Sequence, residues 1–175
     1  MVGRVAIALK REFESQLKRA LPNFGRVSGT KGPPLYSWNP QESLSFFLLL
    51  VIDPHWERFT VEVAWSSRPE FPWNGDLFSS PFELTDEGKR FRLARLINET
   101  GPDVWWELAP RPQLEDIPAA IMPSAETLLT KVPKRVREAV DQICSHAAPY
   151  FEKIRLASAG SVPAGFRVAD RPARR

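Results

Sequence analysis

Phe59-Thr60-Val61-Glu62-Val63-Ala64-Trp65-Ser66 decides the fold. Its large apolar residues, Phe59, Val61, Val63 and Trp65, alternate with Thr60, Glu62, Ala64 and Ser66, the period of a β-strand with a core face and a polar face. Just before it, residues 44–52 are apolar almost throughout, which predicts a strand covered on both faces and central in a sheet. Asp53-Pro54-His55-Trp56-Glu57 lies between them and has the composition of a turn, so the two strands form a hairpin. On the other side, Asp86-Glu87-Gly88 turns into a strand over 89–97, where Phe91 and Leu93 alternate with Arg90 and Arg92. A turn over 98–103 leads to a strand over 104–108, with Val104, Trp106 and Leu108 on one face and Trp105 and Glu107 on the other. Residues 35–38 add a short extended piece upstream.

Helices flank these strands. Val5, Leu9, Phe13, Leu17 and Leu21 repeat every four residues, an amphipathic helix stopped by Pro22 and followed by a Gly/Pro loop over 22–34. After a Pro-rich crossing at 110–123, Ser124 caps a helix over 125–131 and Pro133 opens a second, with Val136, Val140, Ile143 and Ala147 as its buried stripe. Pro149 starts a last short helix carrying Tyr150, Phe151, Ile154 and Leu156. The order predicts an α+β fold: an antiparallel β-meander of about five strands with the N-terminal and C-terminal helices packed on one face. Residues 1–157 form a single domain, because neither the strands nor the helices could bury their apolar faces alone. Residues 158–175 lack a periodic apolar face and are expected to be a disordered, Arg-containing tail.

A chain of 175 residues with 43% hydrophobic residues can build a core without staples, and its single cysteine and two histidines exclude a zinc ribbon or a disulfide framework. No cofactor is expected. The longest apolar run is far short of a membrane span, the apolar run near Arg4 is too short for a secretory signal, and a lone cysteine fits a reducing compartment, so the expectation is a cytoplasmic protein. The net charge is +3. The tail accounts for it, with Arg167, Arg171, Arg174 and Arg175 against Asp170. Residues 1–31 hold seven bases against two acids, whereas residues 42–116 hold seven bases against fourteen acids. The middle of the chain is therefore acidic.

Asp53, His55 and Glu57 alternate as metal ligands or a base would, but Pro54 among them favours a turn. Cys144 and His146 are two apart on a helix and point to different sides, so they do not make a nucleophile–base pair. Nucleotide-binding and nucleophile-elbow motifs are absent, and Gly25, Gly29 and Gly32 precede Pro33-Pro34 and not a helix. Nothing argues positively for an enzyme. Lys89, Arg90, Arg92 and Arg95 near Trp105 suggest a face that stacks single-stranded bases, but the fourteen carboxylates around them would repel phosphates and argue against nucleic acid.

All six tryptophans, Trp38, Trp56, Trp65, Trp73, Trp105 and Trp106, fall in residues 38–106. Trp65 and Trp106 belong to the core faces, while Trp56, Trp73 and Trp105 sit on turns or on the polar face. Tryptophan beside carboxylates suits a protein-binding surface, with aromatic anchors for affinity and acids that steer a basic partner. Glu62, Trp73, Asp76, Trp105 and Glu107 are the candidate partner-binding residues. The alternative is a small enzyme or small-ligand-binding domain with a pocket under the 67–86 loop, which is long enough to be functional. The oligomeric state is not legible.

The N-terminal helix with its Pro/Gly loop, Leu35-Tyr36-Ser37-Trp38, the strand 59–65, Trp105-Trp106-Glu107 and Ala148-Pro149-Tyr150-Phe151 resemble the bacterial domain of unknown function 4304 family over residues 5–156. The insert at 67–86 and the arginine tail are not part of that pattern. The resemblance implies a small cytoplasmic α+β protein, and some similar small proteins are thought to be immunity proteins that neutralise a toxin domain. It carries over no catalytic residue. The combined expectation is a non-enzymatic protein-binding module, an immunity-type inhibitor of a basic toxin.

Overall fold

The computed structural model describes residues 2–29, 32–53, 57–85, 87–109, 124–160 and 167–168. Helix α1 (Val2–Ala20) places Val5, Leu9, Phe13 and Leu17 in the core, as their spacing requires, and ends with Lys18 and Arg19 against the negative end of its dipole. Strands β1 (Gly25–Arg26), β2 (Leu35–Gln41), β3 (Leu44–Asp53) and β4 (Arg58–Ser66) follow as an antiparallel meander. The hairpin between β3 and β4 closes with Asp53 opposite Arg58, and residues 54–56 of the expected turn lie outside the described residues. After a long loop holding β5 (Glu83–Leu84), strand β6 (Gly88–Arg92) pairs with the far half of β4, and β7 (Trp106–Glu107) pairs with its start. The sheet order is β1-β2-β3-β4-β6, with β7 beside β6 on the same edge of β4.

Helices cover one face of this sheet. Tyr36, Phe46, Leu48, Leu50, Phe59, Val61, Val63, Trp65 and Phe91 meet α1, α3 (Ala125–Gln142), a π-helical turn (Ile143–Ala147) and α4 (Ala148–Ser158) in one core. Phe46 stacks on Phe151 at 4.5 Å, and Phe13 and Phe151 are fully enclosed, so truncating either to alanine costs about 3–5 kcal/mol. The expected α+β meander with terminal helices on one face is the observed architecture.

Several details differ from expectation, among them the strand expected over 104–108, which is confined to Trp106–Glu107. The second face of β4 is polar but not solvated: Thr60, Glu62 and Ser66 are buried, and Leu35, Phe47, Leu49 and Ala64 on the sheet form a small second core with Phe71 of the loop. Loop residues from 67 onward fold back onto that face, which the alternation of β4 cannot reveal. The strand expected over 89–97 ends at Arg92, because Leu93 turns helical and starts the short α2 (Ala94–Ile97). Pro133 does not open a second helix; it sits within α3, whose N-cap Ser124 accepts from Thr127 N, and the carbonyl of Pro133 accepts from Gln16 Nε2 at 3.1 Å. Pro149 stands in the first turn of α4, as expected, and the π-helical turn runs into that helix without a gap. The tail is not wholly without structure: Arg167–Val168 forms β8, parallel to β5.

Candidate functional site

The second core shapes the site. Phe71 packs edge-on against Phe47 at 5.5 Å and against Trp73 at 4.7 Å, which pins the loop to the sheet. Gly75 N bonds to Pro72 O and Ser79 N to Asp76 O, two successive turns that carry Trp73 and Phe78 outward. Asp76 is exposed, and its Oδ1 accepts from Phe78 N at 2.9 Å, a side-chain turn of the kind aspartate forms readily. Trp73 and Phe78 remain 53% and 62% exposed. They are ordered aromatic projections on a braced loop.

The brace is Arg90. Its Nη1 donates to Trp73 O at 2.6 Å, its Nε donates to Glu62 Oε2 at 2.7 Å, and its guanidinium faces the Phe71 and Trp73 rings at 5.3 and 5.8 Å. Glu62 also meets Arg92 Nη1 at 3.4 Å. Glu62 is 2% exposed, so it does not serve as a surface contact; it balances two arginines beneath the loop. Loop folding took the polar face of β4 out of solvent, which removes the reason for assigning this carboxylate to a partner.

Trp105 is half-buried and already covered. Arg58 lies 4.2 Å and Arg92 5.3 Å from its ring, and Arg58 is held by Asp53 Oδ2 through Nε at 3.1 Å and Nη2 at 3.0 Å. Glu107 is half-buried opposite Arg58, and its carbonyl accepts from Arg135 Nε. Trp73 is tied to Arg90, opposite Ala64, whereas Glu107 is opposite Arg58. At about 3.3 Å per residue those positions are roughly 20 Å apart along β4. The five candidates therefore form no single patch. Trp73 and Asp76 stand together, Trp105 and Glu107 lie at the other end of the face, and Glu62 is buried between them.

An open cleft of about 510 Å³ lies beside Trp73, lined by Ser66, Arg68, Glu70, Phe71, Pro72, Trp73, Asn74, Gly75, Glu87 and Gly88. Glu70 and Glu87 are exposed at it, and Arg68 is 3.9 Å from Glu87. Phe78, Glu70 and Glu87, not among the expected candidates, stand exposed beside Trp73; the signal was their place in or beside a loop that holds Phe71, Trp73 and Phe78 within eight positions.

Elsewhere, the basic stretch considered for nucleic acid is largely enclosed: Arg90 and Arg92 pair with Glu62, and Lys89 donates to Glu83 O at 2.7 Å. Burial lowers the pKa of Lys89 against the opposing pull of Glu83. Cys144 stays in a helical turn two residues from His146, and burial, followed by the charge of Asp141, raises its thiol pKa, the opposite of nucleophile activation. His55 lies outside the described residues, and Asp53 is engaged by Arg58. Among the described residues no group of three or more His, Cys, Asp or Glu is placed to hold a metal, and no helix is long and apolar enough to cross a membrane. Compared with known protein-family models, curated proteins and solved structures, the chain has no match in any of the three.

Proposed function

We propose that the protein is a non-enzymatic binding module whose contact surface is the loop bearing Trp73 and Phe78, and that its partner is a basic protein, as an immunity-type inhibitor of a basic toxin requires. The observation that carries this reading is the exposure of both aromatics on a loop fixed from beneath by Phe71 and Arg90. A flexible loop would bury such rings or lose entropy on binding; a braced one presents them ready for use. Glu70, Asp76 and Glu87 are exposed around them; Arg68 is the nearby exposed base and half-buried Arg95 lies 5.4 Å from the Phe78 ring, so the exposed charge is mainly acidic, a field that favours encounter with cations. The resemblance to the domain of unknown function 4304 family agrees with a cytoplasmic immunity role. The small-ligand reading is favoured by the cleft beside the same loop, but its openness and charged rim suit a partner's side chain better than an enclosed substrate.

Capture with the immobilised full chain from cells holding its native neighbours tests the proposal. The expected result is one stoichiometric basic protein, eluted by salt and lost with Trp73→Ala. Retention unaffected by Trp73→Ala and Phe78→Ala together would overturn it.

A further inference from the structure

Trp73 and Trp105 occupy the same sheet face in different states. Over Trp105 lie the guanidiniums of Arg58 and Arg92; Arg58 donates to Asp53 through Nε and Nη2, while Arg92 has Glu62 at 3.4 Å and Asp103 at 4.0 Å as charge partners, with no hydrogen bond from its buried Nε and Nη1 among the described residues. A guanidinium on an indole, with a carboxylate at its edge, uses both the stacking and the hydrogen-bonding capacity of arginine. At Trp73 the arrangement is incomplete. Arg90 approaches the ring only at 5.8 Å, more than half of the residue faces solvent, and the cleft beside it ends at Glu70 and Glu87. Glu87 has Arg68 only at 3.9 Å, with both side chains mostly exposed, and Glu70 makes no ion pair among the described residues. The cleft thus offers an aromatic wall and two solvated carboxylates within about 510 Å³, room for one long side chain.

We infer that this cleft is an arginine-binding subsite: a guanidinium from the partner lies against Trp73 and pairs with Glu70 or Glu87, completing at Trp73 what the chain builds internally at Trp105. The inference rests on the protein-binding reading and specifies its chemistry. Lysine fits less well, because an ammonium cannot stack as a plane while forming paired bonds to a carboxylate. Arg68, weakly held by Glu87, swings out of the way when the incoming arginine takes that carboxylate.

The test is titration of the full-length protein with capped alanine peptides carrying one arginine, one lysine or one citrulline, followed by the indole N–H resonance of Trp73, assigned by its loss in Trp73→Phe. The arginine peptide is expected to shift that resonance saturably, with Kd on the order of 10 mM or tighter. Lysine binds several-fold more weakly and citrulline leaves the resonance in place. Glu70→Gln with Glu87→Gln, both at exposed positions, weakens arginine binding several-fold without changing the fold. A citrulline peptide that binds as well as arginine, or a Trp73 resonance that no peptide moves, overturns the inference. If the resonance stays put while Trp73→Ala still abolishes protein capture, the arginine subsite fails and the protein-binding reading stands. If the arginine peptide binds and no protein is captured, the subsite stands and that reading fails.

Discussion

Glu62 on β4 and Arg90 on β6 form a buried ion pair in which Arg90 Nε and Nη2 both lie 2.7 Å from Glu62 Oε2. The same guanidinium holds the carbonyl of Trp73, so a pair inside the molecule sets the position of an aromatic ring outside it. The second carboxylate oxygen faces Arg92, which makes Glu62 the counter-charge for two arginines only 15% and 13% exposed.

Removing that counter-charge leaves desolvated Arg90 without its carboxylate and Arg92 with Asp103 alone, at 4.0 Å. Glu62→Gln is expected to destabilise the fold by about 3 kcal/mol, read as a lower urea midpoint with little change in slope. A loss below about 1 kcal/mol would mean that water, not Glu62, compensates the arginines.

Arg90→Gln should act on the loop beyond its effect on stability. Amide exchange across residues 71–79 is expected to accelerate by more than that of β3, and a double-mutant cycle with Glu62→Gln should give a coupling above about 1 kcal/mol. Additive effects would show that the two residues act separately.

Two glycines permit the close approaches around this pair. A Cβ on Gly88, where φ is +142°, would stand 2.5 Å from the carbonyl oxygen of Trp65, so Gly88→Ala is expected to cost about 3 kcal/mol or more. A Cβ on Gly75 would meet Arg90 Cβ at 2.6 Å. Gly75→Ala therefore shifts the loop, and its main signature is a shift of the Trp73 indole N–H resonance, with about 1–2 kcal/mol lost on urea unfolding.

The chain has two tyrosines and both are buried. Tyr36 is pushed up to about 12 by burial, reinforced by Glu14 and opposed by Arg26, and Tyr150 is raised by burial against the opposing hydrogen bond from Trp65. An unfolded tyrosine ionises near pH 10, so the stability these groups contribute is whole below that value and falls as pH rises from there through about 12 for Tyr36. Absorbance at about 295 nm should stay flat past pH 10 and then rise in one step with unfolding. A gradual rise centred on pH 10 in folded protein would contradict the burial of both phenols.

Their hydroxyls differ in consequence. Tyr150 OH accepts from Trp65 Nε1 at 3.2 Å and donates to Pro81 O at 2.8 Å, tying α4 to the sheet and the loop, so Tyr150→Phe is expected to cost about 2 kcal/mol in urea unfolding. Tyr36 OH is buried with no partner among the described residues, and Tyr36→Phe should be neutral or stabilising by up to about 1 kcal/mol.

The helix face of the fold was legible because Phe59, Val61, Val63, Trp65 and the α1 stripe follow simple periods. The other face was not, since Glu62 among apolar neighbours has the same pattern whether water or two arginines face it. The arginines belong to β6, and their register against Glu62 is a tertiary fact. Trp105 looked like an exposed anchor for the same reason; only the folded chain brings Arg58 and Arg92 over its ring. The exposure of Trp73 was legible because a tryptophan within a Pro- and Gly-containing turn has no strand face on which to be buried. Strand β6 ended early because the apolar alternation of Phe91 and Leu93 does not distinguish a strand from the first turn of α2.

The most direct test of the aromatic loop as the contact surface is photocrosslinking in the native cell, with benzoylphenylalanine placed singly at Trp73, at Phe78 and, as a control, at exposed Lys134 on α3. The loop positions are expected to give one common adduct with a basic protein, competed by excess unlabelled chain, and Lys134 none. Adducts at Lys134 alone, or an acidic protein held at the loop, would contradict the account.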